Sequence, residues 1–288
     1  MTADAAVRFS PLPDLLIDPI VRAALAEDLG RAGDITAQAC IPPDARLKAA
    51  FVARKAGVVS GLACARLALA ALDPPAAFET RAADGDAVAP GAVLAVIDAN
   101  AQAALSTERV ALNLLCRLSG VATLTAAYVA EVAGTRARII DTRKTTPLLR
   151  ALEKYAVRCG GGANHRFGLD DAILIKDNHV AACGGVGAAL ARVRERAGHT
   201  VKIEVEVDSL TQLEEALLHK PDVIMLDNFS LGDLTAAVAL TAGRVVLEAS
   251  GGVDLTTVAA IARTGVDYIS VGALTHSAPV FDIGLDAI

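Results

Sequence analysis

Aromatic residues are scarce in this chain: tryptophan is absent, and all aromatics together make up 3% of the 288 residues. Proteins that bind single-stranded nucleic acid stack the bases on aromatic side chains, so this composition disfavours that function. An excess of positive charge is lacking as well, since the net charge is −6. We therefore expect no general nucleic-acid-binding surface, and any local group of basic residues becomes informative.

Paired cysteine motifs are also missing. The five cysteines are an odd number and contain no C-x-x-C spacing, which disfavours a disulfide framework or a zinc knuckle. The N-terminus carries Asp4, Arg8 and Asp14 instead of the apolar run of a signal peptide. No stretch reaches about 18 uninterrupted apolar residues, the length that spans a membrane. We expect a cytoplasmic protein with reduced thiols and without a membrane span.

Apolar residues, in contrast, are abundant at 53%, and from about Ile139 they form alternating strand-like and helix-like runs. The predicted strands are 138–140, 172–175, 201–207, 223–226, 245–247 and 268–271. The predicted helices between them are 186–197, 210–218, 231–239 and 255–263, and Ser209 with Gln212 resembles a capping box at the start of the second. Repeated strand–helix units predict parallel strands joined by helical crossovers.

Polar or glycine residues follow nearly every predicted strand, which favours a closed barrel over an open sheet. A barrel gathers the carboxyl ends of all its strands at one mouth, whereas an open sheet leaves the outer ends far apart. The dinucleotide fingerprint G-x-G-x-x-G does not follow any of the strands. Six strands are clear, and a closed barrel of seven or eight strands would need one or two more that the pattern does not place.

The N-terminal part has a different texture. Predicted strands at 47–53 and 92–97 and a helix at 63–71 indicate a small α+β unit, with turns between them. A long helix should follow, with Ser106 as its N-cap and Arg109 one turn later. The segment 27–36 is interpreted as a helix end and turn with a structural role.

A group of basic residues falls near the expected barrel mouth: Arg143, Lys144, His165, Arg166 and Lys176. Two like charges ~4 Å apart repel by ~4 kcal/mol at an effective dielectric constant of about 20. Such a group is therefore hard to explain structurally unless an anionic ligand occupies the space. The alternative is a solvated rim of exposed bases.

Two glycine-containing loops follow the last two strands: Ser250-Gly251-Gly252 and Val271-Gly272-Ala273. Glycine lets backbone N–H groups approach an anion, and barrel enzymes often bind phosphate at these loops. The pair predicts a phosphate site, although tight strand–helix turns would give the same pattern.

Acidic residues lie on one face of a predicted strand, where Lys202, Glu204 and Glu206 alternate. Lys202 and Glu204 could pair with each other, which would leave Glu206 free for a ligand. Asp227 ends the next strand at the same level. Two carboxylates beside a phosphate site suggest Mg²⁺, or alternatively the hydroxyl groups of a ribose.

These motifs together resemble the quinolinate phosphoribosyltransferase family, also called nicotinate-nucleotide pyrophosphorylase (carboxylating). The resemblance covers nearly the whole chain in order, and its central block at 141–179 is the most specific. The stretches that carry it are 27–36, 106–123, 141–179, LDN at 226–228, EASGG at 248–252 and SVGALTHS at 270–277.

The resemblance implies two domains: an N-terminal α/β sandwich at 1–115, joined by the tail at 277–288, and an incomplete, seven-stranded-like catalytic α/β barrel at 116–276. It implies a homodimer, possibly assembled into a hexamer, in which the sandwich of one subunit covers the barrel mouth of the other. The activity implied is transfer of phosphoribosyl from phosphoribosyl pyrophosphate to quinolinate, with decarboxylation, for NAD biosynthesis.

The resemblance also implies residue roles. Quinolinate would contact Arg143, His165, Arg166 and Lys176, together with Arg109 of the neighbouring subunit, and Thr142 would also belong to the substrate-binding residues. Lys144 and Lys176 would also contact the phosphoribosyl group, and the two glycine loops would hold its phosphate. Glu206 and Asp227 would hold Mg²⁺ and the ribose. The catalytic set is therefore Lys144, Lys176, Glu206 and Asp227.

Three alternatives remain open. One is a related pyrophosphorylase of the molybdenum-transport-associated type with another acceptor, and a second is a Schiff-base aldolase that uses Lys176 as its nucleophile. The third is a sensor that binds a phosphosugar without catalysis. His179 is interpreted as either catalytic or orienting, Cys159 and Cys183 as buried, and the remaining histidines as unpaired: His199, His219 and His276.

Overall fold

The computed structural model describes residues 10–288, so the predictions for Asp4 and Arg8 lie outside the described residues. The chain divides into two units. The first comprises the described residues through Ala126, with Thr145–Gly161 and Thr275–Ile288. The second comprises Ala127–Lys144 and Gly162–Leu274.

In chain order the elements are α1 (Asp14–Leu29), α2 (Ile35–Cys40), β1 (Arg46–Ala53), β2 (Gly57–Val58), α3 (Leu62–Leu72), β3 (Ala77–Thr80), β4 (Ala87–Val88), β5 (Val93–Asn100), α4 (Ala101–Glu131), β6 (Arg138–Ile140), α5 (Arg150–Cys159), β7 (Ile173–Ile175), α6 (Asp177–Cys183), α7 (Val186–Arg194), β8 (Ile203–Val207), α8 (Leu210–Leu218), β9 (Val223–Asp227), α9 (Leu231–Thr241), β10 (Val246–Ser250), α10 (Val258–Arg263), β11 (Tyr268–Ser270), α11 (Ala273–His276) and β12 (Ile283–Ala287).

An antiparallel four-stranded sheet organises the first unit, in the order β12-β1-β5-β3. The C-terminal strand pairs with β1, with Phe51 opposite Leu285, so the end of the chain belongs to this sheet. Leu94 and Ile97 of β5 are almost completely buried and form part of its core. Burial of this apolar face stabilises the pairing of strands that are far apart in sequence.

The long helix α4 starts at Ala101, so the prediction of Ser106 as its N-cap is wrong. The Asn100 side-chain oxygen accepts a hydrogen bond from the N–H of Ala103 at 3.1 Å, as a capping residue does. Ser106 lies inside the helix and donates to the Asp34 carboxylate at 3.1 Å. The Ala-rich stretch before Ser106 has high helix propensity, which explains the earlier start.

By length and composition, α4 is the one helix among residues 10–288 that could cross a membrane. In its most apolar window, 67% of the residues are buried inside the protein. The buried core helix of a soluble protein passes the same test, so the finding is weak evidence for a membrane span. The expectation of no span rested on uninterrupted apolar runs, which Glu108, Arg109 and Arg117 break in α4.

Helix α1 is followed by Gly30 as its C-cap, and the φ of 53° at Gly30 is in the left-handed region that favours glycine. The Asp34 carboxylate then caps α2 by accepting the N–H of Ala37 at 2.9 Å. The segment 27–36 thus has the structural role predicted for it.

The second unit is an incomplete α/β barrel, as predicted. Its six strands are all parallel and follow the order β6-β11-β10-β9-β8-β7. Within the described chain, β6 and β7 are the two ends of this order, so the sheet stays open. Ala163 forms a single parallel bridge with Ile140, which places a one-residue seventh position beside β6. The predicted strands and helices all occur, with bounds that differ by up to three residues.

The predicted capping box of α8 is present in modified form. Ser209 caps the helix by accepting from the N–H of Gln212, as expected. The Gln212 side chain, however, accepts from the N–H of Asp208 at 3.1 Å and not from Ser209.

All five cysteines are free thiols. Cys159 is buried as predicted, whereas Cys183 is only half-buried. Burial raises the pKa of the Cys159 thiol to about 12, which keeps it protonated and unreactive. A cytoplasmic location, argued from reduced thiols, stays a prediction.

Candidate active site

A cavity of about 620 Å³ lies at the carboxyl ends of the parallel strands in the second unit. Parallel strands place all their carboxyl ends at one edge, so residues from distant parts of the chain meet there. Its lining includes these predicted residues: Thr142, Arg143, Lys144, His165, Arg166, Lys176, Glu206, Asp227, Ser250, Gly251 and Gly252.

The other predicted residues are not among those that line this cavity, although Val271, Gly272 and Ala273 directly follow Ser270, which lines it. Val271 is buried and continues the strand pairing, with its N–H donating to Ile140 at 2.9 Å. Ala273 begins the short helix α11, directly after Gly272. Arg109 belongs to the first unit, where it lines another cavity of about 550 Å³ with Lys55.

The cationic side of the cavity contains two arginines with unsatisfied groups. The Nε atoms of Arg143 and Arg166 are buried and lack a hydrogen-bond partner among residues 10–288. Burial and the neighbouring Arg143 lower the pKa of Arg166, because both disfavour its charged form. A further Arg166 nitrogen, Nη1, donates to the carbonyl of Ala172 at 3.0 Å. An anion between the arginines would satisfy the buried donors and relieve the repulsion.

Glu206 was predicted to have no partner within the protein, but its Oε2 forms an ion pair with Lys176. Their Nζ and Oε2 atoms are 2.7 Å apart. Asp227 accepts a hydrogen bond from the Asn228 side chain at 2.7 Å. Burial and, after it, the neighbouring Glu206 carboxylate raise the pKa of Asp227. The site can therefore accept additional positive charge beside these two carboxylates.

The expected pairing of Lys202 with Glu204 is wrong. Lys202 forms an ion pair with Asp222. Glu204 is buried and lies 3.0 Å from Nε2 of His165. Residues two apart on a strand are separated by nearly 7 Å, so partners on other strands and loops lie closer.

Glu248 at the cavity floor had no predicted role, although it belongs to the EASGG motif. Its Oε2 lies 3.7 Å from Nε2 of His165, and its side chain is 3% exposed. Burial, followed by the Glu204 carboxylate, raises the pKa of Glu248 to about 8. The sequence did contain a sign of this role, because Glu248 is a charged residue within the apolar stretch 246–249, and a buried charge needs a partner.

Asp141, directly after β6, fixes the loop that contains His165. It is fully buried and accepts from the N–H of His165 at 2.9 Å and from the Asn164 side chain at 2.6 Å. The sequence placed Asp141 at a strand end without assigning this role.

Glycine is required in the loop after β10, the loop 250–252 that was predicted to bind phosphate. Gly251 has a φ of +96°, and a Cβ there would lie 2.1 Å from the side-chain oxygen of Asn228. Only glycine allows the backbone to pass so close to the end of β9.

The remaining predicted histidines have modest roles. Nδ1 of His179 accepts from the N–H of Lys176 at 2.9 Å, which fits the orienting alternative. His276 was expected to be unpaired, but its Nδ1 lies 2.6 Å from the hydroxyl of Ser277.

Comparison with known proteins decides the family. Residues 121–286 match the sequence model of the quinolinate phosphoribosyl transferase C-terminal domain, and residues 34–119 match that of the N-terminal domain. The chain belongs to the quinolinate phosphoribosyltransferase family. The resemblance inferred from the motifs is thereby confirmed.

Members of this family are similar along nearly their whole length. Nicotinate-nucleotide pyrophosphorylase [carboxylating] of Mycobacterium leprae is 48% identical over 92% of this chain and 95% of its own. The probable enzyme of that name from Bacillus subtilis is 46% identical over 90% of this chain and 89% of its own. The solved structure of the nicotinate-nucleotide pyrophosphorylase from Francisella tularensis matches with a TM-score of 0.92 at 38% identity, over 96% of this chain and 98% of its own.

Proposed function

We propose that this chain transfers phosphoribosyl from phosphoribosyl pyrophosphate to quinolinate, with loss of CO₂, to give nicotinate mononucleotide and pyrophosphate. The supporting observation is the division of charge within one cavity. Arg143 and Arg166, with their buried unpaired Nε atoms, neighbour each other, Glu206 and Asp227 neighbour each other, and all four line the cavity together with the glycine loop 250–252. The relatives' names, nicotinate-nucleotide pyrophosphorylase [carboxylating], describe the same chemistry in reverse.

The acceptor is a pyridine with two adjacent carboxylates, which suits the cationic side. Arg143 and Arg166 would bind the carboxylates, since a guanidinium donates two parallel hydrogen bonds to a carboxylate. Lys176 and Lys144 would add positive charge near the reacting ring, and Thr142 a hydroxyl. The ordered arginines hold the ring nitrogen at a fixed position relative to the sugar.

The donor suits the opposite side. The backbone N–H groups of 250–252 would bind the sugar phosphate, with the loop 271–273 completing the phosphate site. Glu206 and Asp227 would accept hydrogen bonds from the ribose hydroxyls. Both carboxylates line the same cavity as the glycine loop, as this arrangement requires.

Mg²⁺ fits the carboxylate side of the cavity. The carboxylates of Glu206 and Asp227 line the same cavity, and after burial the charge of Glu206 is a further cause of the raised pKa of Asp227. Glu206 and Asp227 would hold the ion, with the remaining ligands from phosphate and water oxygens. When bound, Mg²⁺ would neutralise charge that develops on the leaving pyrophosphate.

The reaction needs positioning and electrostatic stabilisation more than a covalent nucleophile. The bond from the sugar C1 to pyrophosphate breaks with its electron pair leaving on oxygen, and the pyridine nitrogen bonds to C1. The C2 carboxylate then leaves as CO₂, its bonding pair stays on C2, and a proton takes its place. Lys144 and Lys176 would stabilise the anionic leaving group, and the ion-paired Glu206 would hold Lys176 in place.

A homodimer, possibly built into a hexamer, is proposed from the resemblance, with the domain limits given above. Arg109 would then serve the site of the neighbouring subunit. Arg109 lines a cavity of the first unit together with Lys55. Its guanidinium would bind an anionic group of the neighbouring subunit's site.

Incubation with quinolinate, phosphoribosyl pyrophosphate and Mg²⁺ tests the proposal. We expect nicotinate mononucleotide, pyrophosphate and CO₂ in equal amounts, and turnover that stops when EDTA removes the metal. Turnover of another acceptor but not of quinolinate would favour the molybdenum-transport-associated type. Binding of phosphoribosyl pyrophosphate without any product would favour the sensor.

The Schiff-base aldolase is disfavoured by the surroundings of Lys176. A nucleophilic lysine must have its nitrogen free to attack a carbonyl carbon, whereas Nζ of Lys176 is ion-paired with the Glu206 carboxylate at 2.7 Å. Borohydride treatment in the presence of a carbonyl substrate should therefore leave Lys176 unmodified.

A further inference from the structure

Asn228, directly after β9, has a backbone conformation that few residues adopt. Its φ is 56°, in the left-handed region, which asparagine tolerates better than most residues because its short side chain can hydrogen-bond locally. Its N–H donates to the carbonyl of Ser250 at 2.9 Å, so the chain turns here while it is still bound to the neighbouring strand β10. Non-glycine residues held in this region are concentrated at functional sites.

The side chain of Asn228 contacts two of the groups assigned to the sugar donor. Its Nδ2 donates to Oδ2 of Asp227 at 2.7 Å, the one hydrogen bond that the Asp227 carboxylate accepts within residues 10–288. Its Oδ1 borders Gly251, since a Cβ added there would lie 2.1 Å from it. All three residues line the cavity of the candidate active site. One amide group thus joins the carboxylate to the glycine loop 250–252.

We infer that Asn228 is a positioning residue for the sugar donor: its amide orients the Asp227 carboxylate toward the ribose hydroxyls and fixes the distance from that carboxylate to the glycine loop. The inference deepens the proposed function and rests on it, because that function assigns the ribose to Asp227 and the phosphate to 250–252. It gives a role to the asparagine of the LDN motif at 226–228, to which none had been assigned.

An amide suits this position because it has donors at one end and an acceptor at the other. The Nδ2 end faces the carboxylate, so the Oδ1 end faces the glycine loop. With Oδ2 of Asp227 bound by Asn228, Oδ1 of Asp227 remains for a ribose hydroxyl. A carboxylate held in one orientation binds a hydroxyl with less loss of side-chain entropy.

Other residues that tolerate the left-handed region lack one of these properties. Glycine would permit the turn but would leave the Asp227 carboxylate without its donor. Aspartate would place a second negative charge against Asp227, and like charges at such a distance repel. The two residues therefore make informative substitutions at position 228.

Asn228→Gly separates the side chain from the backbone turn, because glycine adopts the left-handed region freely. We expect the KM for phosphoribosyl pyrophosphate to rise roughly tenfold or more, while the KM for quinolinate changes by less than about twofold. If the asparagine served only the turn, neither constant would change, and that result would overturn the inference. An equal rise in both constants would also overturn it, since it would indicate a general disturbance of the cavity.

Asn228→Asp is the second variant, and it decides the question if the glycine variant does not fold. Aspartate keeps the size of the side chain and its tolerance of the left-handed region, but it replaces the Nδ2 donor by an oxygen. We expect the KM for phosphoribosyl pyrophosphate to rise at least as much as in Asn228→Gly. An unchanged KM in Asn228→Asp would refute the role of the donor.

Ala242→Gly is the matched control for backbone flexibility. Ala242 follows α9 with a φ of 49°, in the same left-handed region, and it is exposed. Both KM values should stay as they are in the unchanged protein. A rise in the KM for phosphoribosyl pyrophosphate equal to that in Asn228→Gly would trace the effect to flexibility and would refute the positioning role.

NMR of the side-chain amides in the ligand-free protein tests the geometry without turnover. The Asn228 signals are those lost in Asn228→Gly, and we expect one of the two Nδ2 protons to be shifted downfield by the hydrogen bond to the Asp227 carboxylate. Two unshifted protons would overturn the inference even in an active enzyme. A shifted proton in a protein that does not convert quinolinate would refute the proposed function and leave the contact of Asn228 with Asp227 established.

Discussion

Lys176 and Glu206 form an ion pair at the ends of the neighbouring strands β7 and β8, with 2.7 Å between Nζ and Oε2. The lysine side chain is 48% exposed, whereas the glutamate side chain is 11% exposed. An ion pair this exposed adds little to folding stability. Its role is to join the cationic side of the cavity to the carboxylate side.

Arg166→Ala should weaken acceptor binding far more than donor binding. A hydrogen bond to a charged group contributes about 1.5–3 kcal/mol, so KM for quinolinate should rise roughly 10- to 100-fold. Arg166→Lys is the control, because it keeps the charge but loses the planar two-donor geometry. Steady-state kinetics with each substrate varied separately measures the effect. Equal loss for both substrates would contradict the assignment of Arg166 to the acceptor.

Asp227→Asn should reduce turnover at least about tenfold and shift the Mg²⁺ dependence to higher concentration, since a charged oxygen ligand is replaced by a neutral one. Initial rates across a Mg²⁺ titration give both quantities. Asp233→Asn, on helix α9, is a control that removes the same charge from an exposed position. An unchanged rate and metal dependence in Asp227→Asn would remove Asp227 from the metal site.

Gly251→Ala should destabilise the protein and raise KM for phosphoribosyl pyrophosphate. Its Cβ would lie 2.1 Å from the Asn228 side-chain oxygen, at a φ of +96°. Gly243→Ala is the matched control, because φ is +75° there and the space around the Cβ is open. The free energy of unfolding of the control should fall only by the cost of the left-handed conformation for alanine, roughly 1–2 kcal/mol. Urea denaturation measures the free energy of unfolding of both variants. An equal decrease in both would mean that the Asn228 side chain moves aside at little cost.

The free energy of unfolding should fall as the pH rises from about 4.5 to about 8, in part because of Glu248. Its pKa is raised from 4.5 in the unfolded chain to about 8 in the folded protein. The folded state thus binds more protons in this interval, which means that the contribution to stability decreases with increasing pH. Glu248→Gln removes the titration, so its unfolding free energy should fall less over this interval, by on the order of a few kcal/mol. If the unfolding free energies of the unchanged protein and of Glu248→Gln decreased equally with pH, Glu248 would not titrate in this interval.

Arg109→Ala should be inactive by itself and regain activity when mixed with Asp227→Asn subunits. A mixed dimer would contain one site with an intact barrel and an intact Arg109 from the other subunit. Activity after unfolding and refolding of the two variants together, compared with each variant refolded alone, measures the rescue. Activity no higher than in the separate samples would contradict a shared site.

The positions of the helices and strands could be predicted from local patterns. Helix α8 occurs at the residues predicted, 210–218, because its apolar periodicity and its Ser209 cap are both local features. The start of α4 could not be predicted as well. Ser106 and Asn100 are both acceptable caps by type, and the choice depends on where β5 ends and releases the chain.

The meeting of Arg143, Arg166 and Asp227 at one cavity also followed from the sequence, since parallel strands joined by right-handed crossovers must place their carboxyl ends together. The identity of the family was likewise contained in the motifs, of which the block 141–179 is the most specific.

Tertiary structure alone decided which charges pair. Glu204 and Glu206 look equivalent along their strand, yet one is buried against His165 and the other is bound to Lys176. Strands in a sheet are about 4.8 Å apart, closer than residues two apart on one strand, so the register between strands selects the partners. That register also places Glu248 and Glu206 on either side of Met225 in β9. A buried carboxyl group consequently adjoins a histidine that is distant in the sequence, because only the packed sheet brings their strands and loops together.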